Sequence, residues 1–228
     1  MTYRDPEQLA AVAAHDLRGH LVGMDGYAQL LSSLEAVKED ATARTMVEQI
    51  SLGAQHGLTL VDDLLTFATC LWRQDVPSPV DLDALAAHVV PRVLGEHDPS
   101  SVRIGPLGTV HGDPALLRHL LRHLLVNALT YVAPGVAPRV EISAVPVDDG
   151  LLQVRVADNG LGIAVDEREV VFEAFERGTA TASVPGTGLG LAICRRVVTR
   201  YGGQIGVEDS PYGGTSVWFT LPSGPPVG

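Results

Sequence analysis

Apolar positions in the first third of the chain recur at helical intervals. Leu17, Leu21, Met24, Ala28 and Leu31 step by four, three, four and three, which places them on one narrow stripe and predicts a helix over residues 7–32. Val47, Ile50, Ala54, Val61, Leu65 and Ala68 form a second stripe and predict a helix from about 40 to 72. Residues 32–40 between them are too few for anything but an antiparallel hairpin. Two narrow seams bury little by themselves, so the expected assembly is a homodimeric four-helix bundle. The rival arrangement folds the hairpin onto the chain's own second domain.

Pro77 and Pro79 end the second helix, and beyond them the period changes. Residues 82–94 read as a helix and 102–110 as a stretch holding one short strand. Asp113 followed by Pro114 supplies an N-cap and a first-turn proline for a helix running to about Tyr131. Residues 140–147 and 151–157 flank Asp148-Asp149-Gly150, a hairpin signal, and 204–207 pairs with 215–221 around a turn at 211–214. Residues 191–201 form an apolar helix. This order predicts an α+β fold, in which the N-terminal helical hairpin precedes an α/β sandwich built on an antiparallel sheet covered on one face by helices. The expected boundaries are 1–75 for the hairpin domain, 76–80 for a linker, 81–222 for the second domain and 223–228 for a loose tail.

Composition narrows the function classes. The 228 residues, 46% hydrophobic and 19% charged, leave room for one or two domains with a real core. No apolar run reaches the roughly 18 residues that span a bilayer, and no signal peptide opens the chain, so no membrane contact is expected. Cys70 and Cys194 lie far apart without metal-type spacing, which fits a reducing, cytoplasmic setting. A net charge of −11 argues against a nucleic-acid partner.

Two glycine-rich turns carry the first chemical signal, Asp158-Asn159-Gly160-Leu161-Gly162 and Gly186-Thr187-Gly188-Leu189-Gly190-Leu191. Glycine lets backbone N–H groups approach a phosphate and tolerates positive φ, and the second turn runs into a helix whose N-terminus favours an anion. A carboxylate cannot cradle phosphate, so Asp158 reads something else, such as the amino edge of a purine. Together the turns suggest a nucleotide site, yet neither fits the dinucleotide fingerprint, and the chain's one lysine, Lys38, rules out the lysine-bearing phosphate loop. His119, His123 and Asn127 share one helix face at i, i+4 and i+8, without the third ligand that zinc would need. Asn127 lies in the apolar run Leu124 to Leu129, where its amide must find partners in the core or in a ligand; its oxygen suits Mg²⁺. Phe172 and Phe175 precede a stretch of small and polar residues, 179–185, which reads either as a lid anchored by the two rings or as a plain surface loop. His15 falls just off the apolar seam beside Asp16. That pair is either an ordinary solvated face or a nucleophile with its base, since neutral imidazole can attack a phosphoryl group.

These segments, in this order, resemble the motifs of the sensor histidine kinases of two-component systems. Ala14-His15-Asp16-Leu17-Arg18 looks like their H-box, and 112–114 through 127–131 like their N-box. Residues 158–162 and 186–191 resemble the two glycine boxes, 171–177 the F-box and Gly213-Gly214-Thr215 a terminal glycine motif. The match covers nearly the whole chain. It implies a dimerisation and histidine-phosphotransfer hairpin followed by an ATP-binding domain of the kind shared with gyrase and Hsp90. By that resemblance His15 would be the phosphorylated nucleophile, Asp16 its base, Asn127 the Mg²⁺ holder and Asp158 the residue that binds the adenine amino group. Tyr131, Gly160, Gly162, Ile163, Phe172, Phe175, Gly186, Thr187, Gly188, Leu189, Gly190, Leu191 and Thr215 would line the ATP pocket or its lid. The phosphoryl group would pass to an aspartate in the receiver domain of a response regulator. The setting would be cytoplasmic, as a free protein or as the soluble core of a larger sensor.

Four positions depart from the family pattern. Gly19 replaces a Thr or Asn credited with orienting water, which argues against phosphatase activity. His20 replaces a proline that bends the helix. His123 stands where an Asn is common, and a Glu base in the ATPase relatives. Thr130 replaces a frequent basic residue. An alternative reading is therefore a degenerate scaffold or phosphotransfer protein with the kinase fold and little ATP turnover, while an ATPase of the gyrase or Hsp90 kind is disfavoured by His123.

Overall fold

A computed structural model describes residues 6–72, 76–95, 97–147, 150–181 and 186–225. The chain divides into two compact units, Met1–Trp72 and Arg73–Gly228.

The first unit is the expected hairpin, α1 (Pro6–Ser32) against α3 (Ala41–Trp72), with a short α2 (Glu35–Glu39) in the connection that sequence reading left without structure. Helix α1 runs unbroken through His20, as the missing proline implies. Only part of the predicted stripes is buried within one chain. Ala14 and Ala28 of α1 and Val47, Ala54 and Val61 of α3 lie inside, and the Leu21 side chain fills the space a Cβ on Gly57 would take. Leu17, Met24, Leu31 and Ile50 remain exposed. Polar groups also cross the seam: Arg18 pairs with Asp62, and Ser51 Oγ donates to Asp25 Oδ1 at 2.5 Å; within α1, Gln29 Nε2 donates to Asp25 Oδ2 at 2.9 Å.

The second unit contains a five-stranded sheet ordered β2-β4-β5-β7-β6, from β2 (Val102–Ile104), β4 (Val140–Val147), β5 (Leu151–Asp158), β6 (Ile205–Asp209) and β7 (Thr215–Pro222). The sheet is mixed, not antiparallel as expected, because β2 runs parallel to β4. Parallel neighbours need a crossover. Here β3 (Thr109–Gly112) and α5 (Pro114–Thr130) supply it. The single strand expected over 102–110 is thus two strands, broken where Gly108 takes φ 77°. The expected linker also holds structure: β1 (Ser78–Asp81) pairs antiparallel with β3 as a second, two-stranded sheet. The tail is tied at its start, since Ser223 N–H donates to Gly150 O and Gly224 N–H to Thr109 O.

Alternation decides which face of the large sheet is core. Val140, Ile142, Leu152, Val154, Val156, Val217, Phe219 and Leu221 are buried on one side. Against them pack α5 and α6 (Gly190–Arg200), with α4 (Leu82–Leu94) flanking α5. Asp113 caps α5 as predicted, accepting from Ala115 N–H at 2.6 Å and Leu116 N–H at 3.3 Å. Leu116, Leu117, Leu120, Leu121, Leu124 and Leu125 then form its buried stripe. That burial fixes the helix roll and aims His119, His123 and Asn127 at a neighbouring face.

Candidate functional site

Asp158 ends β5 and is buried at 8% exposure. Its Oδ1 accepts Gly160 N–H at 2.8 Å and Thr215 N–H at 2.9 Å. Burial pushes its carboxyl above the ordinary value, opposed by the bonds from Thr215 and Gly160. Both bonds use one oxygen and leave the second as the acceptor that can face a ligand donor.

The first glycine turn is pressed against the C-terminus of α5. Leu161 N–H donates to Tyr131 O at 2.9 Å, and a Cβ on Gly160 would stand 2.4 Å from that same carbonyl oxygen. No side chain fits there without moving backbone. A Cβ on Gly214 would meet Gly160 N at 2.2 Å and Asp158 Oδ1 at 2.3 Å, so the terminal glycine motif belongs to the same wall. Gly162 takes φ 77°, as a glycine turn requires.

The second glycine turn closes the other side. Thr187 Oγ1 accepts Leu189 N–H at 3.2 Å, Leu189 is fully buried, and α6 begins at Gly190. Gly188, at φ 70°, lies against the backbone of Phe175, and Phe175 N–H donates to Gly188 O at 3.0 Å. The two ends of the expected lid are thereby fastened to each other, and Thr179 N–H donates to Glu167 Oε1 at 2.9 Å within it. Residues 182–185 of that stretch lie outside the described residues. Phe172 is buried, with the Arg195 guanidinium carbon 5.7 Å from its ring centroid. Phe175 differs from the buried anchor expected: the residue is 64% exposed, and it meets the second glycine turn through its backbone, held at φ 69°.

Helix α5 forms the remaining wall. Asn127 is half-buried on α5. His123 is buried, with Nδ1 3.3 Å from where a Cβ on Gly190 would stand and its ring 6.5 Å from that of His119. Burial first, then the charges of Arg122 and His119, lowers its pKa to about 3, so its imidazole is neutral at physiological pH. Thr130 is exposed.

The fold therefore brings Tyr131 against both glycine turns, since a Cβ on Gly160 would meet its carbonyl and a Cβ on Gly186 would stand 2.9 Å from its hydroxyl. Asp158, Gly214 and Thr215 lie beside Gly160, while Gly188 lies against Phe175 and Gly190 against His123. Gly162 and Ile163 follow directly on the first turn, and Leu191 follows Gly190 in α6. His15 and Asp16 belong to the other unit, both exposed on α1. Asn159 and Gly214 are not among the pocket residues the sequence predicts, whereas His123 is expected beside the pocket. Only the Gly213-Gly214 pair gave a local hint.

Comparison with known proteins gives the family of both units. Residues 112–225 match the family described as histidine kinase-, DNA gyrase B- and HSP90-like ATPase, and residues 7–69 match the His Kinase A (phospho-acceptor) domain. The chain is 32% identical over 227 residues to the signal transduction histidine-protein kinase/phosphatase MprB of Mycobacterium ulcerans, covering 96% of this chain and 44% of that protein. It is 35% identical over 216 residues to the sensor-type histidine kinase PrrB of Mycobacterium tuberculosis, covering 93% and 47%. The crystal structure of full-length ShkA in complex with AMPPNP matches 98% of this chain and 47% of that one, with a TM-score of 0.72 and 31% identity. The chain thus spans less than half the length of each of these relatives.

Proposed function

We propose that this chain, which belongs to the sensor histidine kinase family, transfers the γ-phosphoryl group of ATP to its own His15 and then to an aspartate of a response regulator. The observation that carries the reading is Asp158, a buried carboxylate pinned by two backbone amides beside Gly160 and Gly214, neither of which admits a Cβ. A carboxylate so held accepts from the exocyclic amine of adenine and has no place against a phosphate.

In this reading Asp158 selects the base, and the second glycine turn with the N-terminus of α6 receives the phosphates. Asn127 would hold Mg²⁺, which supplies charge neutralisation at the phosphates when bound. An imidazole nitrogen of His15 attacks the γ-phosphorus as the bond to the β–γ bridging oxygen breaks, and ADP leaves. Asp16 takes the proton from the ring. The protein's share of the catalysis is positioning and electrostatics. His123, buried and with its pKa lowered to about 3, would be a weak base in place of the Glu that activates water in the ATPase relatives. The exposed apolar residues of the hairpin fit a second copy of the chain, and among the described residues no helix is long and apolar enough to cross a membrane.

Incubation with γ-labelled ATP and Mg²⁺ tests the assignment. Wild type should acquire label that is acid-labile and base-stable, and His15→Ala none. Label persisting on His15→Ala would remove His15 from the mechanism. Nucleotide binding without label on wild type would favour the degenerate scaffold.

A further inference from the structure

The turn between β6 and β7, residues 210–214, lies directly over the Asp158 turn, in the space left by the missing Cβ of Gly214. It closes on itself through Ser210 N–H to Gly214 O and Gly213 N–H to Ser210 O, both 3.1 Å. From this turn Tyr212 reaches to β4. Its hydroxyl donates to Glu141 Oε2 at 2.5 Å, and the Arg139 guanidinium carbon lies 3.8 Å from the ring centroid. Arg139 N–H in turn donates to Asn159 Oδ1 at 2.8 Å, and Asn159 Nδ2 donates to Ala137 O at 2.9 Å. The contacts make a closed circuit. Asp158 is bonded to Thr215, which shares a short turn with Tyr212; Tyr212 is bonded to Glu141 and capped by Arg139; Arg139 is bonded to Asn159, the neighbour of Asp158.

We propose that Tyr212 is a specificity-determining positioning residue: by fastening the β6–β7 turn to Glu141 and Arg139 it holds the Asp158 carboxylate in the orientation that selects a 6-amino purine. The inference rests on the adenine reading of Asp158. A terminal carboxylate torsion is soft, and Thr215 N–H is one of the two bonds that set it. If the turn drifts, that bond lengthens and the carboxylate rotates away from a linear approach to the amine, where a hydrogen bond weakens steeply. The second glycine turn and α6 lie outside the circuit, so phosphate binding is untouched. The bond to Glu141 also pushes the Tyr212 phenol up, which keeps it a protonated donor at neutral pH.

Calorimetric titration of the full chain compares ATP with purine riboside triphosphate, which lacks the 6-amino group, in the presence of Mg²⁺. Wild type should prefer ATP by about tenfold. Tyr212→Phe keeps the ring under Arg139 but removes the hydroxyl, and should lower that preference about threefold or more by weakening ATP alone. Glu141→Gln retains an acceptor oxygen and should fall between the two. An unchanged preference in Tyr212→Phe, or equal weakening of both nucleotides, overturns the proposal. Equal affinity of wild type for both nucleotides would instead overturn the adenine reading itself, and the inference with it.

Discussion

Asp158 sits where burial disfavours its charged form, and the adenine recognition proposed for it would need that form. The folded-state pKa is raised, so the residue's contribution to stability is full in acid, below the ordinary carboxylate range, and is lost as pH rises through the raised value. Asp158→Asn should therefore raise the melting temperature of the nucleotide-free protein at pH 7, with the gain shrinking toward pH 4. The amide keeps an oxygen for Gly160 and Thr215 but can turn a donor toward the adenine amine, so ATP affinity should fall about 10- to 100-fold. A lower melting temperature at pH 7 would mean the carboxylate stabilises the apo fold after all. His123 has the opposite sign. Its folded pKa of about 3 lies below 6.5, so its contribution is present above 6.5 and is lost as pH falls below it. Between pH 8 and pH 5, urea denaturation of wild type should lose about 2 kcal/mol more than that of His123→Asn. Asp158 was legible as an acid misplaced in a phosphate-like turn. His123 was not, because spacing placed it on the right face of α5 but gave no sign of its burial against Gly190.

The hairpin shows what periodicity can and cannot specify at the scale of an element. One stripe was read on each helix, and both helices form as read. The stripes themselves are split: Leu21 and Ala28 face α3, whereas Leu17, Met24, Leu31 and Ile50 are 53%, 50%, 42% and 44% exposed. A narrow seam of small residues closes the hairpin, and the larger side chains are left exposed, where the proposed four-helix bundle would bury them against a second copy. Met24→Glu with Leu31→Glu should convert a dimer to a folded monomer by light scattering, with helix content retained by circular dichroism. A wild-type monomer would contradict the assembly. The strands were less legible where pairing is long-range. Pro79 hid β1, since a proline inside a four-residue strand reads as a break. The parallel pairing of β2 with β4, and the bonds from Ser223 and Gly224 to Gly150 and Thr109, leave no local trace in the residues that make them.

For the whole molecule the governing quantity is charge. A chain of net charge −11 must bring a polyanion to its cleft, and its only lysine, Lys38, is paired with Glu35 in the hairpin connection. The exposed Thr130 leaves no cation at a position where the family often has one. In the proposed reading, phosphate recognition would fall to backbone N–H groups, to the N-terminus of α6 and to Mg²⁺ held through Asn127, whereas base recognition through Asp158 would need no metal. This division can be measured. In EDTA, wild type and Asn127→Ala should bind ADP with equal affinity, because the base contact is intact in both. Added Mg²⁺ should tighten nucleotide binding by wild type and leave Asn127→Ala unchanged, and only wild type should then label His15 from γ-labelled ATP. A Mg²⁺-dependent gain that survives in Asn127→Ala would place the metal on other groups. A loss of ADP affinity in EDTA would show Asn127 supporting the base pocket rather than the ion.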